Sequence, residues 1–120
     1  MAVTEFFAGI PVADSASMFA WYERLWGKPP NFFPHDLEAV WQIAEHAWIY
    51  VVADAERAGK ALITILVDDL NAQVSLLKER GLPVGPIEVM PGASRTAAVS
   101  DPEGNRITFG QPLDANQENS

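Results

Sequence analysis

An internal repeat constrains this chain more than any other feature of its sequence. Each half runs in the order strand, Asp, amphipathic helix, Gly and further strands. The strand that ends at Asp14 matches the strand that ends at Asp69, an offset of 55 residues. Gly27 and Gly81, which follow the two helical patterns, match at an offset of 54 residues. A joint match of strand, helix cap, helix and terminal glycine predicts two copies of a βαβββ unit.

The first predicted helix runs to about Trp26 after a cap at Asp14 or Ser15, and the second runs to about Arg80. The second is capped by Asp68 or Asp69 and carries an apolar stripe of Leu70, Val74 and Leu77. Strands are predicted at residues 6–12, 31–33, 40–44, 48–52, 62–67, 84–89, 95–100 and 106–110. Residues 1–111 are predicted to form one domain, with units of about 3–58 and 59–111, before a polar tail at 112–120.

The composition and charge of the chain limit the classes of partner that the protein can bind. The 120 residues carry a formal net charge of -8, which disfavours a nucleic-acid partner because phosphates would be repelled. The same charge either attracts a cationic ligand or only keeps the protein soluble. No stretch approaches the ~20 apolar residues of a membrane helix. The N-terminus lacks the basic region of a signal peptide and the chain has no cysteine, so we expect a cytoplasmic protein without disulfides.

The segment Asp101-Pro102-Glu103-Gly104-Asn105 joins the last two predicted strands with residues that favour a tight turn. With the duplicated βαβββ order, this segment resembles the vicinal oxygen chelate superfamily. That superfamily contains glyoxalase I, ring-cleaving dioxygenases and the bleomycin resistance proteins. The resemblance covers about residues 3–111. It implies an α+β fold in which two βαβββ modules form an incomplete barrel around a cavity, and it implies a homodimer.

The resemblance also indicates where metalloenzymes of this superfamily carry His or Glu ligands. In this sequence the four positions hold Phe7, Tyr50, Leu62 and Thr108. Phe, Leu and Thr cannot supply the imidazole or carboxylate groups that hold Zn, Ni, Mn or Fe, and a phenol is an uncommon ligand. We therefore expect neither a metal nor another cofactor.

Alternation along the predicted strands separates the side chains that pack on helices from those that face the cavity. The residues predicted to contact a ligand there are Phe7, Phe33, Trp41, Trp48, Tyr50, Leu62, Thr64, Arg95 and Thr108. Aromatic walls suit a flat apolar ligand, although aromatic rings also simply fill cores. The face occupied by Trp41 depends on a hairpin register that the sequence leaves open. Arg95 either holds a ligand carboxylate or pairs with a surface acid.

These observations predict metal-independent binding of an apolar or aromatic small molecule, as in drug sequestration. One alternative is a metal-dependent lyase, isomerase or ring-cleaving dioxygenase with displaced ligands, which would need His35 or His46. A second is a metal-free enzyme that uses Tyr50, Arg95 or a loop histidine as acid, base or oxyanion donor. A third is a protein-interaction module. No catalytic residue is assigned.

Overall fold

The computed structural model describes residues 1–113, and the fold is α+β. The two helices are α1 (Ser15–Trp26) and α2 (Leu70–Glu79). The eight strands are β1 (Phe6–Val12), β2 (Phe32–His35), β3 (Glu38–Ala44), β4 (Ala47–Ala53), β5 (Leu62–Leu66), β6 (Glu88–Met90), β7 (Ser94–Ser100) and β8 (Arg106–Pro112). The order of elements confirms the predicted repeat of βαβββ.

The strands form two four-stranded sheets of the same topology, ordered β1-β4-β3-β2 and β5-β8-β7-β6. In each sheet the first strand pairs in parallel with the last strand of its repeat, and the other pairs are antiparallel. The chain divides into two compact units. The first contains Met1–Ala61 together with Asp101–Asn105, and the second contains Leu62–Ser100 and the described residues that follow Asn105. The return of Asp101–Asn105 to the first unit differs from the simple division near residue 58 that the sequence suggested.

Both helices begin at an aspartate, as the repeat predicts. The Asp14 carboxylate accepts a hydrogen bond from the backbone N–H of Ser17 at 3.2 Å, and Asp69 accepts one from Ala72 at 3.0 Å. The glycine after each helix has a φ of 76°, a left-handed conformation that favours glycine at a helix end. No helix among the described residues is long and apolar enough to cross a membrane.

Each helix covers one face of its own sheet. In the first unit the buried side chains of α1 are Met18, Trp21, Tyr22 and Leu25, and the facing strand residues are Ile10, Val12, Ile49 and Val51. In the second unit Leu70, Val74 and Leu77 of α2 face Ala97, Val99, Ile107 and Phe109. Full burial of one large apolar side chain contributes about 1.5–3 kcal/mol, so these two layers supply most of the driving force for folding.

The strand predicted at 84–89 is wrong over most of its length. Val84 makes only an isolated bridge to Val99, and the regular strand β6 begins at Glu88. Pro83 and Pro86 lack the backbone N–H that a strand ladder requires, which explains the late start. At the other end β8 extends to Pro112 instead of residue 110. Of the predicted polar tail, Pro112 ends β8 and Leu113 follows it, while residues 114–120 lie outside the described residues.

Candidate functional site

The first sheet has an open face, opposite the face that α1 covers, and aromatic rings line it. Phe7 of β1 lies beside Trp48 of β4 in the strand register. Their rings stack with centroids 5.6 Å apart and planes 10° from parallel. Phe7 nevertheless stays 50% exposed. The stack therefore offers a flat apolar surface to a ligand.

Phe32 of β2 extends this surface. Its ring meets Trp48 edge to face, with centroids 6.1 Å apart, and it stays exposed. Tyr50, the next residue of β4 on this side, lies opposite Gly9 of β1. We use the name aromatic face for Phe7, Phe32, Trp48 and Tyr50 together.

Gly9 lets the Tyr50 ring lie close against β1. A Cβ atom at Gly9 would stand 2.5 Å from Cζ of Tyr50, which is nearer than real Cβ contacts allow. Any larger residue at this position would push the ring away from the sheet. The position of Gly9 between Phe7 and Pro11 on the cavity side of the strand was visible in the sequence, but its partner ring was not.

A carboxylate holds Trp48 in place. The indole Nε1 of Trp48 donates a 2.8 Å hydrogen bond to Oε2 of Glu5, and Nδ1 of His46 lies 3.2 Å from Oε1. The hydrogen bonds from Trp48 and then from His46 lower the pKa of Glu5 below its usual range, because they favour the charged carboxylate. The indole is thereby oriented with its face toward Phe7. Sequence reasoning missed Glu5, since nothing in the pattern marks the residue just before a strand.

The open face of the second sheet is different in chemistry. Leu62 lies opposite Arg106 and Thr64 lies opposite Thr108, and all four side chains point away from α2. Leu62 is 81% exposed. The predicted orientation of Leu62, Thr64 and Thr108 is thus what the structure shows, and whether they contact a ligand is decided by binding measurements on variants of this face.

Two aromatic residues predicted to face the ligand lie on the helix side of the first sheet. Phe33 packs edge to face against Phe19 of α1, with centroids 5.9 Å apart. Trp41 is 0% exposed, and its indole donates a 2.9 Å hydrogen bond to the backbone oxygen of Lys28. The register pairs Trp41 with Ile49, a residue of the helix-facing core. The structure therefore places Phe33 and Trp41 on the helix side of the first sheet and Phe32 on its open face.

Arg95 also lies on the helix side of its sheet. Its Nη2 donates a 3.1 Å hydrogen bond to Oδ1 of Asn71 on α2. It stands opposite Gln111, whose side chain accepts a hydrogen bond from the backbone of Leu70 at the start of α2. Of the two roles that the sequence left open for Arg95, neither is seen, because its guanidinium contacts an amide oxygen on α2 on the helix side of the sheet.

The segment Asp101–Asn105 forms a buried polar network in the first unit. The Tyr22 hydroxyl donates a 2.8 Å hydrogen bond to Oδ2 of Asp101, which also accepts one of 2.8 Å from Nδ2 of Asn105. Backbone N–H groups of Glu103 and Asn105 donate to Oδ1 of Asp101 at 2.8 and 3.0 Å. Burial, and then the negative charge of Asp101, raise the pKa of Tyr22 far above its usual range. The Tyr22 hydroxyl is therefore a fixed hydrogen-bond donor.

The same segment ties the start of α1 to the sheet. The Glu103 carboxylate accepts hydrogen bonds from the backbone N–H groups of Ala13 and Asp14, at 2.5 and 2.9 Å. Asn105 donates from Nδ2 to the Pro11 oxygen at 2.9 Å. The motif most specific to the resemblance thus stabilises the first unit.

Comparison with known sequence families decides the identity of the fold. The profile of the Glyoxalase/Bleomycin resistance protein/Dioxygenase superfamily matches residues 4–109. The chain belongs to this superfamily. A glyoxalase/bleomycin resistance protein from Catenulispora acidiphila DSM 44928 is 40% identical, with a TM-score of 0.83 over 89% of this chain and 96% of that one.

Two further solved structures of this superfamily fold have names that mention a bound compound. TnmS3, an antibiotic-binding protein from Streptomyces sp. CB03234, is 24% identical with a TM-score of 0.75, over 94% of this chain and 99% of that one. A bleomycin-binding protein complexed with bleomycin is 20% identical with a TM-score of 0.72, over 92% and 98% of the two chains. At these identities the likeness concerns the fold. The curated proteins gave no match.

The superfamily positions for metal ligands do not fit a metal in this chain. Phe7 and Leu62 have no donor atom, and the Phe7 ring is instead stacked on Trp48. Within residues 1–113, no three His, Cys, Asp or Glu side chains converge in a group that could hold a metal ion. The two histidines lie apart: His35 pairs with Glu38 at 3.4 Å, and His46 with Glu5 at 3.2 Å. What the arrangement offers chemically is an apolar, stacked surface.

Proposed function

We propose that this protein is a metal-independent small-molecule binding protein that holds an apolar or aromatic ligand on the aromatic face. The observation that carries the proposal is the parallel stack of Phe7 on Trp48, half-exposed and fixed by Glu5. Aromatic rings favour stacked contacts worth about 0.5–1.5 kcal/mol beyond the burial of area. A ring already held in place loses little conformational freedom when a ligand binds, which favours affinity.

Sequestration of a drug is the form of binding that we propose. A sequestering protein needs affinity for its ligand but catalyses no reaction. Its function is therefore not impaired when the superfamily's metal-ligand positions hold other residues, here Phe7, Tyr50, Leu62 and Thr108. Similarity in fold to an antibiotic-binding protein and to a bleomycin-binding protein supports this form. We do not assign a catalytic residue, and we place the protein in the cytoplasm.

A homodimer is part of the proposal. Leu62 and Leu66 on the open face of the second sheet are 81% and 64% exposed, and Val89 and Met90 on its edge strand are exposed as well. Exposed apolar side chains in such a group favour association. Edge strands with free hydrogen-bonding groups favour it too. A second copy of the chain is the partner that we expect to cover them, and sedimentation equilibrium tests this directly.

The proposal is tested by measuring ligand binding in a matched pair of variants. Bleomycin and a panel of planar aromatic antibiotics are titrated into the protein while tryptophan fluorescence and Tm are recorded. Phe7→Ala removes half of the stack, and Phe33→Ala removes a similarly exposed ring (55%) on the helix side. We expect at least one compound to quench fluorescence and raise Tm, with affinity reduced about tenfold in Phe7→Ala and little changed in Phe33→Ala. Equal affinities in both variants, or no binding by any compound, would contradict the proposal.

A further inference from the structure

We propose that Arg57 and Tyr50 form a polar subsite beside the aromatic face that binds the carboxylate of an aromatic ligand. This inference rests on the proposed function, because it assigns the class of ligand that the aromatic face takes. The ligand is then an aromatic acid, with its ring on Phe7 and Trp48 and its anionic group at Arg57.

The subsite is a small pocket in the first unit that continues the aromatic face along the strands. Its lining residues are Gly9, Pro11, Tyr50, Val52, Asp54 and Arg57. Tyr50 and Gly9 follow Trp48 and Phe7 on the same side of β4 and β1. Two residues along a strand span about 6.6 Å, so a ring on the stack and a carboxylate in the pocket fit within one small molecule.

Tyr50 brings an unused hydroxyl to this pocket. Within residues 1–113 the hydroxyl has no hydrogen-bond partner, in contrast to Tyr22, whose hydroxyl is bonded to Asp101. Because Gly9 has no side chain, the Tyr50 ring lies close to β1 and its hydroxyl reaches the Gly9 side of the pocket. The hydroxyl can therefore donate a hydrogen bond to a ligand oxygen.

Arg57 supplies the charge. Its side chain is 80% exposed, and its Nε lies 3.8 Å from Oδ2 of Asp54, near the outer limit of an ion pair. The other oxygen of Asp54, Oδ1, accepts a hydrogen bond from the backbone N–H of Arg57 at 3.3 Å, so only Oδ2 faces the guanidinium. A guanidinium held this loosely keeps donors available for a carboxylate, which it matches with two parallel hydrogen bonds.

The local charge is notable against the rest of the protein. The chain carries 16 acidic and 8 basic residues, so an anion is repelled by most of its surface. The pocket sets one arginine and one phenol hydroxyl against the single carboxylate of Asp54. An anionic group on the ligand is therefore favoured at the Arg57 end of the aromatic face over the Trp48 end, where the Glu5 carboxylate lies, and this would fix the direction in which the ligand lies.

The test compares two probes of one shape, 2-naphthoate and 2-naphthamide, which differ in charge. Both are titrated into the full chain at pH 7 with tryptophan fluorescence as the readout. We expect naphthoate to bind about tenfold more tightly than naphthamide at low salt. The ratio should fall as salt rises, since Arg57 is exposed and its charge is screened.

Three variants locate the preference. Arg57→Gln and Tyr50→Phe should each reduce the naphthoate-to-naphthamide ratio, Arg57→Gln to about one. Asp54→Asn should increase naphthoate affinity, because the competing negative charge is removed while the side-chain oxygen that caps Arg57 is kept. A gain of binding cannot come from unfolding. Arg95→Gln, which alters an arginine on the helix side of the other sheet, serves as the control and should leave the ratio unchanged.

The outcomes separate the two proposals. Equal affinity for both probes, or a ratio that Arg57→Gln leaves unchanged, overturns the subsite while naphthalene binding still supports the aromatic face. Binding of neither probe also overturns the subsite, and the proposed function is then judged by the antibiotic panel with Phe7→Ala and Phe33→Ala. An increased naphthoate affinity in Asp54→Asn, together with its loss in Arg57→Gln, supports the subsite.

Discussion

The two sheets share one topology, but different residue types line their open faces: aromatic rings in the first sheet, and aliphatic, hydroxyl and charged side chains in the second. At the place where the first sheet pairs Phe7 with Trp48, the second pairs Leu62 with Arg106. One step further along, Gly9 with Tyr50 corresponds to Thr64 with Thr108. The aspartate caps at the helix N-termini and the helix-facing cores, by contrast, are alike in both units. The two repeats therefore share the residues that stabilise the fold, and they differ in the residues on their open faces.

A second difference between the two units is the kind of interaction that stabilises each of them. The first unit recruits Asp101–Asn105 from far along the chain and buries Asp101 and Asn105 almost completely. The second unit has no buried polar residue of this kind among its described residues, and its helix is held by Asp69 and Gln111 at the start and by apolar packing. The stability of the first unit is thus expected to depend on a few polar contacts.

The largest expected effect comes from breaking that network. Asp101→Ala removes the acceptor for the Tyr22 hydroxyl and the Asn105 amide, leaving buried donors unpaired at about 1–3 kcal/mol each. Asp69→Ala, which removes the N-cap of α2, should cost only about 1 kcal/mol. Urea denaturation of both variants measures the difference. Equal losses in the free energy of unfolding would show that the buried network of the first unit contributes no more to stability than the N-cap of α2.

The second largest effect is expected at Gly9, which we compare with Thr64 at the corresponding position of the second sheet. Gly9→Val places side-chain atoms where the Tyr50 ring lies, and overpacking of this kind costs about 1–3 kcal/mol. We expect lower stability and a large loss of ligand affinity. Thr64→Val at the corresponding position should change both properties little, because Thr64 is exposed beside Thr108. Calorimetric titration and thermal unfolding check both variants, and a similar response would remove the distinction between the faces.

A smaller effect is expected from single ring removals. Trp48→Leu should weaken binding of a planar aromatic ligand about tenfold, a change of about 1.4 kcal/mol. Leu62→Ala, on the second open face, should weaken it by less than about twofold if the ligand lies on the first sheet. Affinity measured by fluorescence anisotropy of a labelled ligand serves both variants. A loss in Leu62→Ala as large as in Trp48→Leu would mean that both faces bind the ligand equally.

The smallest effect is a pH response of Trp48. Glu5 has its pKa lowered in the folded protein from an ordinary value of 4.5, so its hold on Trp48 is present above pH 4.5 and is lost as pH falls through the lower folded value. Tryptophan emission should change in that acidic range. Glu5→Gln removes the titration while keeping a side-chain acceptor, and Glu79→Gln, at an exposed position of α2, is the control. An unchanged emission profile in Glu5→Gln would contradict the role of Glu5.

The sequence predicted the orientation of a strand correctly where one of its faces carries β-branched apolar residues. Ile10 and Val12, and their counterparts Ile65 and Val67, set the faces of the first strand of each unit, so Phe7 and Leu62 were oriented correctly. The repeat of Asp caps likewise identified both helix starts, because a cap acts locally on the next few residues.

It failed where both faces of a strand are equally suited to burial. Val40 and Trp41 are adjacent and both almost fully buried, so alternation alone could not orient β3. The run Arg95-Thr96-Ala97-Ala98 in β7 and the pair Phe32-Phe33 in β2 are ambiguous in the same way. The link between Tyr22 and Asp101 joins residues 79 apart, a pairing that no local pattern reveals.

The most direct test of the central claim is a crystal structure of the protein treated with EDTA and bound to the tightest compound of the panel. We predict the ligand's ring stacked on Phe7 beside Trp48, with no metal ion between ligand and protein. A ligand bound through a coordinated ion, or a ligand away from the aromatic face with the Phe7–Trp48 stack unchanged, would contradict the account.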